Sequence, residues 1–250
     1  MATLLALDTS SQLLSAAVKP SGGRIDEEIF ADGPAHSENL LPVIDKLLAR
    51  NRLKLSDIDC FLIGRGPGSF TGLRVGFATL KGFWAAEKKD CYGVLGPDMI
   101  AARCKLAEGS LLGTCLDAYR QRLYVRFYRR KNESWIAEQD LKIWQLEELT
   151  THLKNLEAAG KNISLTGDGL KRYGAELKQS AAGAHQLAED HWYPRASVMI
   201  ENFELWRSGP RQPGSAAGLF QKLESPEDFI PLYFRLSEAE EKKGLHVQSR

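Results

Sequence analysis

Cysteine is scarce in this 250-residue chain and is never paired. Cys60, Cys91, Cys104 and Cys115 include no Cys-x-x-Cys, and Cys60 and Cys115 sit inside apolar runs, so buried free thiols in a reducing compartment are expected. Charge of either sign is not in excess. The net value of +1 gives no bulk case for nucleic-acid binding and leaves only a local patch open. No apolar stretch approaches the ~20 residues of a membrane span. Met1-Ala2-Thr3-Leu4-Leu5 lacks a basic start and a long apolar run, so neither a signal peptide nor a membrane contact is expected, and the location expected is cytoplasmic. The five histidines, His36, His152, His185, His191 and His246, include no His-x-x-x-His pair, the spacing that brings two rings to one ion, and no metal site is expected. Neither Ser10 nor Ser69 lies in Gly-x-Ser-x-Gly, which leaves no nucleophilic serine to argue for.

What is present is ordinary globular composition, 43% hydrophobic and 26% charged, organised around one stretch: Gly66-Pro67-Gly68-Ser69-Phe70-Thr71-Gly72-Leu73-Arg74-Val75-Gly76. It follows the apolar run Cys60–Ile63 and opens into a helical pattern that lasts to about Ala86, so it reads as strand, tight glycine loop and helix N-terminus. Ser69 or Thr71 can cap that helix. The loop could cradle an anion, but no Lys follows Gly72 as a P-loop requires, and a plain tight turn is the competing reading. In the helix, Leu73, Phe77, Leu80 and Trp84 form a core face, while Gly72, Val75, Thr79, Gly82 and Ala86 form a stripe of small residues. Three helical glycines cost roughly 1 kcal/mol each relative to Ala, so something must come close: an internal helix, or a helix of another chain.

Before that loop, Leu4–Asp8, Leu13–Val18 and Arg24–Phe30 read as a β-meander. His36–Arg50 then carries Leu40, Leu41, Val43, Ile44, Leu47 and Leu48 at helical spacing, with Ser37 as a cap. The order is βββαβα, an α/β lobe with a mixed sheet. A shift of 109 positions lays Leu7-Asp8 onto Leu116-Asp117, Gln12 onto Gln121 and Leu14 onto Leu123, which suggests a duplicated lobe. Its continuation is expected as strands Arg122–Arg130 and Trp135–Trp144, a helix near Leu146–Leu156, strand Asn162–Thr166, the turn Gly167-Asp168-Gly169 and a helix from Leu170. Ala196–Trp206 reads as a further helix, Ser208–Ser215 as a loop and Pro231–Arg235 as extended. The expected division is a lobe at 1–106, a lobe at 107–236 and a solvated tail at 237–250. Arg122, Tyr124, Arg126, Tyr128 and Arg130 share one strand face. The reading open for that face is RNA contact through Arg122, Arg126 and Arg130; the bland alternative is a solvated surface.

Asp8-Thr9-Ser10, the eleven-residue glycine motif, Asp117-Ala118-Tyr119-Arg120 and Pro231-Leu232-Tyr233-Phe234-Arg235 together resemble the TsaB (YeaZ) family over most of the chain. The resemblance implies the actin-like ATPase fold, two lobes on a duplicated RNase H-like βββαβα core. It implies a role in making threonylcarbamoyladenosine next to the anticodon of tRNAs that read codons beginning with A. In that family TsaB is the accessory subunit and TsaD carries the catalysis, with a TsaE-like ATPase in the complex; the two subunits associate through first-lobe helices. Carried onto this chain, the interface would use Leu40, Val43, Ile44, Leu47, Gly72, Val75, Gly76, Thr79 and Gly82, and a homodimer could use the same surface. The resemblance also implies no cofactor for the chain alone, with ATP and Mg²⁺ at most in the assembled complex. Nucleotide contacts, if kept, would fall on Asp8, Ser10 and Asp117. Against them, the turn Ala118–Gln121 is bulky where a phosphate hairpin needs glycine. A stand-alone actin-fold ATPase or kinase is the alternative function.

Overall fold

The computed structural model describes residues 2–31, 36–208 and 220–232, and the side chains of 36 and 37 are not part of that description. Tyr233–Arg235, the loop past Ser208 and the tail therefore lie outside the described residues, as do the side chains of His36 and of the cap expected at Ser37.

The first lobe runs β1 (Leu4–Asp8), β2 (Leu14–Lys19), β3 (Asp26–Phe30), α1 (His36–Arg50), β4 (Cys60–Gly64), α2 (Phe70–Glu87), β5 (Asp90–Val94) and α3 (Gly96–Arg103). The second repeats that order: β6 (Leu111–Asp117), β7 (Arg122–Lys131), β8 (Ser134–Ala137), β9 (Lys142–Gln145), α4 (Leu146–Ala158), β10 (Ile163–Thr166), α5 (Gly169–Ser180), β11 (Ala184–Gln186) and α6 (Ala196–Ser208), followed by β12 (Gln221–Leu223). The first sheet has the order β12-β5-β4-β1-β2-β3 and the second β11-β10-β6-β7-β8, with β9 also on β7. In both, a hydrogen-bonded antiparallel meander is joined to parallel strands through helices, and the fold is a two-lobe α/β arrangement with a mixed sheet in each lobe. The single strand expected at Trp135–Trp144 is two short strands, both paired with the ten-residue β7.

On its outer face each sheet is covered by its own two helices. Leu40, Ile44 and Leu47 of α1 and Phe77 and Leu80 of α2 pack on the first sheet, and Leu149, Leu153, Leu170 and Leu177 of α4 and α5 on the second. Each inner face is covered by the other lobe's last helix. Ile100 and Ala101 of α3, with Cys104 just after it, pack on Leu112, Leu116, Tyr124 and Tyr128 of the second sheet. Ala196, Met199, Ile200 and Phe203 of α6 pack on Leu4, Ala6, Ala17 and Leu62 of the first. Across the division expected at 106/107, α3 packs on the second sheet, and α6 and β12 return to the first. Neither sheet can bury its inner apolar face with its own helices, and exchanging the last helix buries both.

Side chains of the first sheet hold α6 at its start. Ser15 Oγ accepts from Ala196 N (2.8 Å), and Glu27 accepts from Ser197 N (3.1 Å), Ser197 Oγ (2.8 Å) and the Arg195 guanidinium (2.7 Å from Nη2). These bonds satisfy the first amides of the helix, which have no partner within it. Burial raises the Glu27 carboxyl, but the hydrogen bonds from Arg195, Ser15 and Ser197 outweigh it and hold the pKa below its ordinary value of 4.5. A lowered folded-state pKa means a contribution that is complete above pH 4.5 and is lost as pH falls through the folded value. Glu27→Gln should cost about 2 kcal/mol at pH 7, as for hydrogen bonds to a charged group. Urea titrations between pH 7 and 3 should show that difference shrinking in the acid; a constant difference would place the cost elsewhere.

Candidate functional site

The two lobes meet over a cleft of about 850 Å³, lined by Ser10, Ser11, Gln12, Gly68, Ser69, Thr71 and Gly72 on one side and by Asp117, Tyr119, Asp168, Lys171, Arg172 and Tyr193 on the other. The first wall begins at Asp8, the last residue of β1. Asp8 lies beneath the cleft at 0% exposure, where Oδ1 accepts from Ser10 N (3.0 Å) and Ser10 Oγ (2.8 Å), an Asx turn that bends the chain into the lining. Its other oxygen lies where a Cβ on Gly64 would be, 1.8 Å away, so only glycine fits at the end of β4. The glycine loop follows. Gly68 has φ +159°, and a Cβ there would fall 1.9 Å from Ser10 O; the next amide, Ser69 N, donates to that same carbonyl (2.6 Å). Ser69 is the N-cap of α2 through Oγ and Gly72 N (3.1 Å), and Thr9 Oγ1 donates to Gly72 O (2.8 Å). The loop is thus a tight turn sewn to the β1–β2 turn.

The second wall is built differently. Tyr119, Arg120 and Gln121 have φ of 59°, 54° and 58° in succession. Residues other than glycine pay roughly 1–2 kcal/mol each for that region. The turn is held by Tyr119 N to Asp117 Oδ1 (2.8 Å), Gln121 N to Tyr173 OH (3.1 Å) and Ala118 N to Arg122 O (3.0 Å). Those amides are therefore already engaged and do not offer a phosphate cradle. Asp117 also pairs with Arg172 at 3.1 Å. Behind it, Asp168 accepts from Asp117 N (3.0 Å), and burial, with the Asp117 charge adding to it, pushes its carboxyl up to about 6. Tyr193 closes the floor, its hydroxyl bonded to Gln12 Nε2 across the lobes; burial raises it to about 12.

Of the residues expected to contact nucleotide, Ser10 and Asp117 face each other across this cleft and Asp8 lies buried below Ser10. Among the described residues no group of three or more His, Cys, Asp or Glu side chains could hold a metal. The cysteines are buried thiols, and burial raises Cys91, Cys104 and Cys115 to about 12 and Cys60 still further above its ordinary value.

The interface expectation needs correction. Leu40, Val43, Ile44 and Leu47 are at most 8% exposed and face the lobe's own core. The stripe on α2 is also split. Gly72 and Gly76 are buried, and a Cβ on Gly76 would meet Thr9 Oγ1 at 2.4 Å, so these glycines serve internal packing. Val75 packs partly on the core and Thr79 is half-buried. Gly82 is exposed, with nothing among the described residues within 4 Å of a Cβ, and Ala78, Ala85 and Ala86 are exposed on the same helix. Leu41 on α1 is 50% exposed.

The RNA face is also corrected. Alternation does put Arg122, Tyr124, Arg126, Tyr128 and Arg130 on one side of β7, but α3 covers that side. Arg126 is 7% exposed, with Nη1 2.9 and 3.0 Å from the two oxygens of Asp98 on α3. Tyr128 OH donates to Asp98 Oδ1 (2.8 Å), and Arg130 lies 5.5 Å from the Trp135 ring. Missed in the sequence were β5, α3 with Asp98, and the cleft residues Lys171, Arg172 and Tyr193. Gly96-Pro97-Asp98, with proline in a first turn that ends in an acid, is a helix-start signal that marks α3.

A family model described as "TsaD: tRNA N6-adenosine threonylcarbamoyltransferase" matches residues 21–188. The tRNA threonylcarbamoyladenosine biosynthesis protein TsaB of Haemophilus influenzae is 44% identical over 80 residues, 32% of this chain and 34% of that protein. The protein of the same name from Escherichia coli is 28% identical over 138 residues, 54% of this chain and 59% of that one. The chain belongs to the TsaB (YeaZ) family. It spans between about a third and three-fifths of the length of these curated relatives. A Pseudomonas aeruginosa structure described as YeaZ superposes with a TM-score of 0.69 at 23% identity, covering 93% of this chain and all of that one. A second, described as similar to peptidase YEAZ from the same organism, gives 0.71 at 24% identity, covering 94% and 100%. Both share the fold. Among the described residues no helix is long and apolar enough to cross a membrane.

Proposed function

We propose that this chain is a non-catalytic scaffold subunit in tRNA threonylcarbamoyladenosine biosynthesis, docking a TsaD-like catalytic partner for transfer of the threonylcarbamoyl group to the adenosine next to the anticodon. The family names support the pathway, and a TsaE-like ATPase is the expected third member. One observation carries the docking face: Gly82, where an added Cβ would meet nothing within 4 Å among the described residues, on an exposed helix side whose other residues include Ala78, Ala85 and Ala86. A helical glycine costs about 1 kcal/mol relative to Ala, and no contact among the described residues requires one there. A small-residue face lets a second helix approach closely, and α1, the helix packed beside α2, carries the exposed apolar side chain of Leu41. ATP and Mg²⁺ belong, on this reading, to the assembled complex. The filled second-lobe turn, with Tyr119 where a glycine hairpin would stand and its amides already engaged, supports that part.

Size exclusion with light scattering tests it. The chain should form a mixed complex with a TsaD-like protein, and a homodimer through the same face when alone. Gly82→Arg should weaken the mixed complex at least tenfold while leaving the urea midpoint within error. Gly76→Leu should instead lower the chain's own stability. A mixed complex that tolerates Gly82→Arg would remove the α2 face from the proposal.

A further inference from the structure

The turn between β6 and β7 carries strain that neither the sheet nor docking through α2 requires. Tyr119, Arg120 and Gln121 follow one another at φ of 59°, 54° and 58°, in a region that residues other than glycine ordinarily enter singly. Such strain persists only where the surroundings over-determine it, and it collects at clamps and recognition sites. The surroundings do so here. Asp117 Oδ1 accepts from Tyr119 N (2.8 Å), Tyr173 OH from Gln121 N (3.1 Å) and Arg122 O from Ala118 N (3.0 Å). A hairpin alone would form at less cost with glycine or asparagine in the turn. What this turn adds is one aromatic side chain held out in a fixed place. Tyr119 is 59% exposed, and the Arg172 guanidinium lies 5.6 Å from its ring centroid.

The charge around the ring is mainly positive. Arg120 is exposed in the same turn, and Lys171 and Arg172 are exposed in the first turn of α5. Lys171 makes no ion pair among the described residues. Against these cations stand Asp117, which Arg172 holds at 3.1 Å, and Asp168, which is buried. Tyr and Arg are among the residue types that most often carry the binding energy of a protein interface. A side chain already fixed in place also loses little conformational freedom on binding. We propose that this turn is a docking knob for a second protein, with Tyr119 entering an apolar pocket whose rim presents carboxylates to Lys171, Arg172 and Arg120. A nucleic acid fits less well, because the turn's amides are engaged and offer no phosphate cradle. The knob stands on the second lobe and the α2 face on the first, so the proposal does not rest on docking through α2.

The test places the photo-cross-linking residue p-benzoylphenylalanine at position 119 of the full chain, in cells that make the chain naturally. The same residue at exposed Lys161 is the control. A protein cross-linked from 119 and not from 161 is then purified and titrated against the chain by calorimetry. Tyr119→Ala should weaken that binding by about 30-fold or more, the level of a central aromatic anchor. Tyr119→Phe should keep it. Lys171→Glu should weaken it and flatten its salt dependence, as loss of a rim cation does. Ala and Phe keep a Cβ at the positive φ, as Tyr does, so the backbone strain is common to the variants and the urea midpoints should agree within error. This pattern supports the knob. Three results overturn it: no protein captured from 119 beyond the control, binding unchanged in both Tyr119→Ala and Lys171→Glu, or RNA cross-linked in place of a protein. Gly82→Arg should leave this binding unchanged, so failure of the knob and failure of docking through α2 are separate results.

Discussion

Asp98→Ala should destabilise the chain by about 3–5 kcal/mol, and Arg126→Ala by a similar amount, because each leaves one charge buried and unpaired between α3 and the second sheet. The double replacement Asp98→Leu with Arg126→Met should recover most of that loss. Asp98 is 0% exposed, and burial pushes its carboxyl up to about 6 despite the Arg126 charge and the Tyr128 hydrogen bond. The carboxylate therefore costs more to desolvate than its partners return, the circumstance in which an apolar pair of similar volume is neutral or stabilising. The sign with pH follows. With a folded pKa near 6 against an ordinary 3.8, the native state binds the extra proton between those values, so this group makes stability fall as pH rises from about 4 to 6. The shift corresponds to roughly 3 kcal/mol, at the ordinary conversion of 1.36 kcal/mol per unit. Urea unfolding of the wild type, the two single variants and the double variant at pH 4, 5, 6 and 7 measures both effects. Single variants within 1 kcal/mol of wild type would mean that the pair is wet and that Arg126 is free to serve elsewhere.

Gly64→Ala should cost about 3 kcal/mol, the upper range for forcing extra volume into a packed core. The added methyl would fall 1.8 Å from Asp8 Oδ2. That carboxyl cannot swing aside cheaply, since its other oxygen holds Ser10 N and Ser10 Oγ and Asp8 is fully buried. Shortening it should make room: Asp8→Ala in the Gly64→Ala background should cost less than Asp8→Ala alone, with a coupling of about 1–3 kcal/mol. Additive single and double variants in chemical denaturation would show that the two residues do not meet. The same cycle reports on the cleft. If Asp8 acts chiefly by bending the chain after β1, Asp8→Ala should disturb the Ser10 side of the lining together with stability.

The repeat legible in Leu7-Asp8 and Leu116-Asp117 is the same strand end in both lobes, each turning into a hairpin through an aspartate that accepts from an amide two residues on. Local pattern sufficed there because a strand that is buried on both faces is a continuous apolar run and an Asx turn involves neighbours only. The helices at His36–Arg50 and after Ser69 were legible for the same reason. The capping bond of Ser69 and the apolar faces of both helices depend on residues three and four apart.

Which neighbour covers each face was not legible. Alternation placed Arg126 and Tyr128 on one side of β7, but it holds no information that a helix from residues 96–103 lies over that side. The periodicity of Leu40, Val43, Ile44 and Leu47 marked an apolar face without saying that the chain's own sheet fills it. Lys171, Arg172 and Tyr193 escaped because α5 and the segment before α6 are far apart in the chain from Ser10 and Asp117, and only the tertiary fold brings them to the same cleft. From sequence alone, then, came the elements built on short-range spacing, the duplication and the family. The tertiary structure decided the exchange of α3 and α6, the burial of Asp98 with Arg126, and which helix face stays open, because these depend on contacts between residues far apart in the chain.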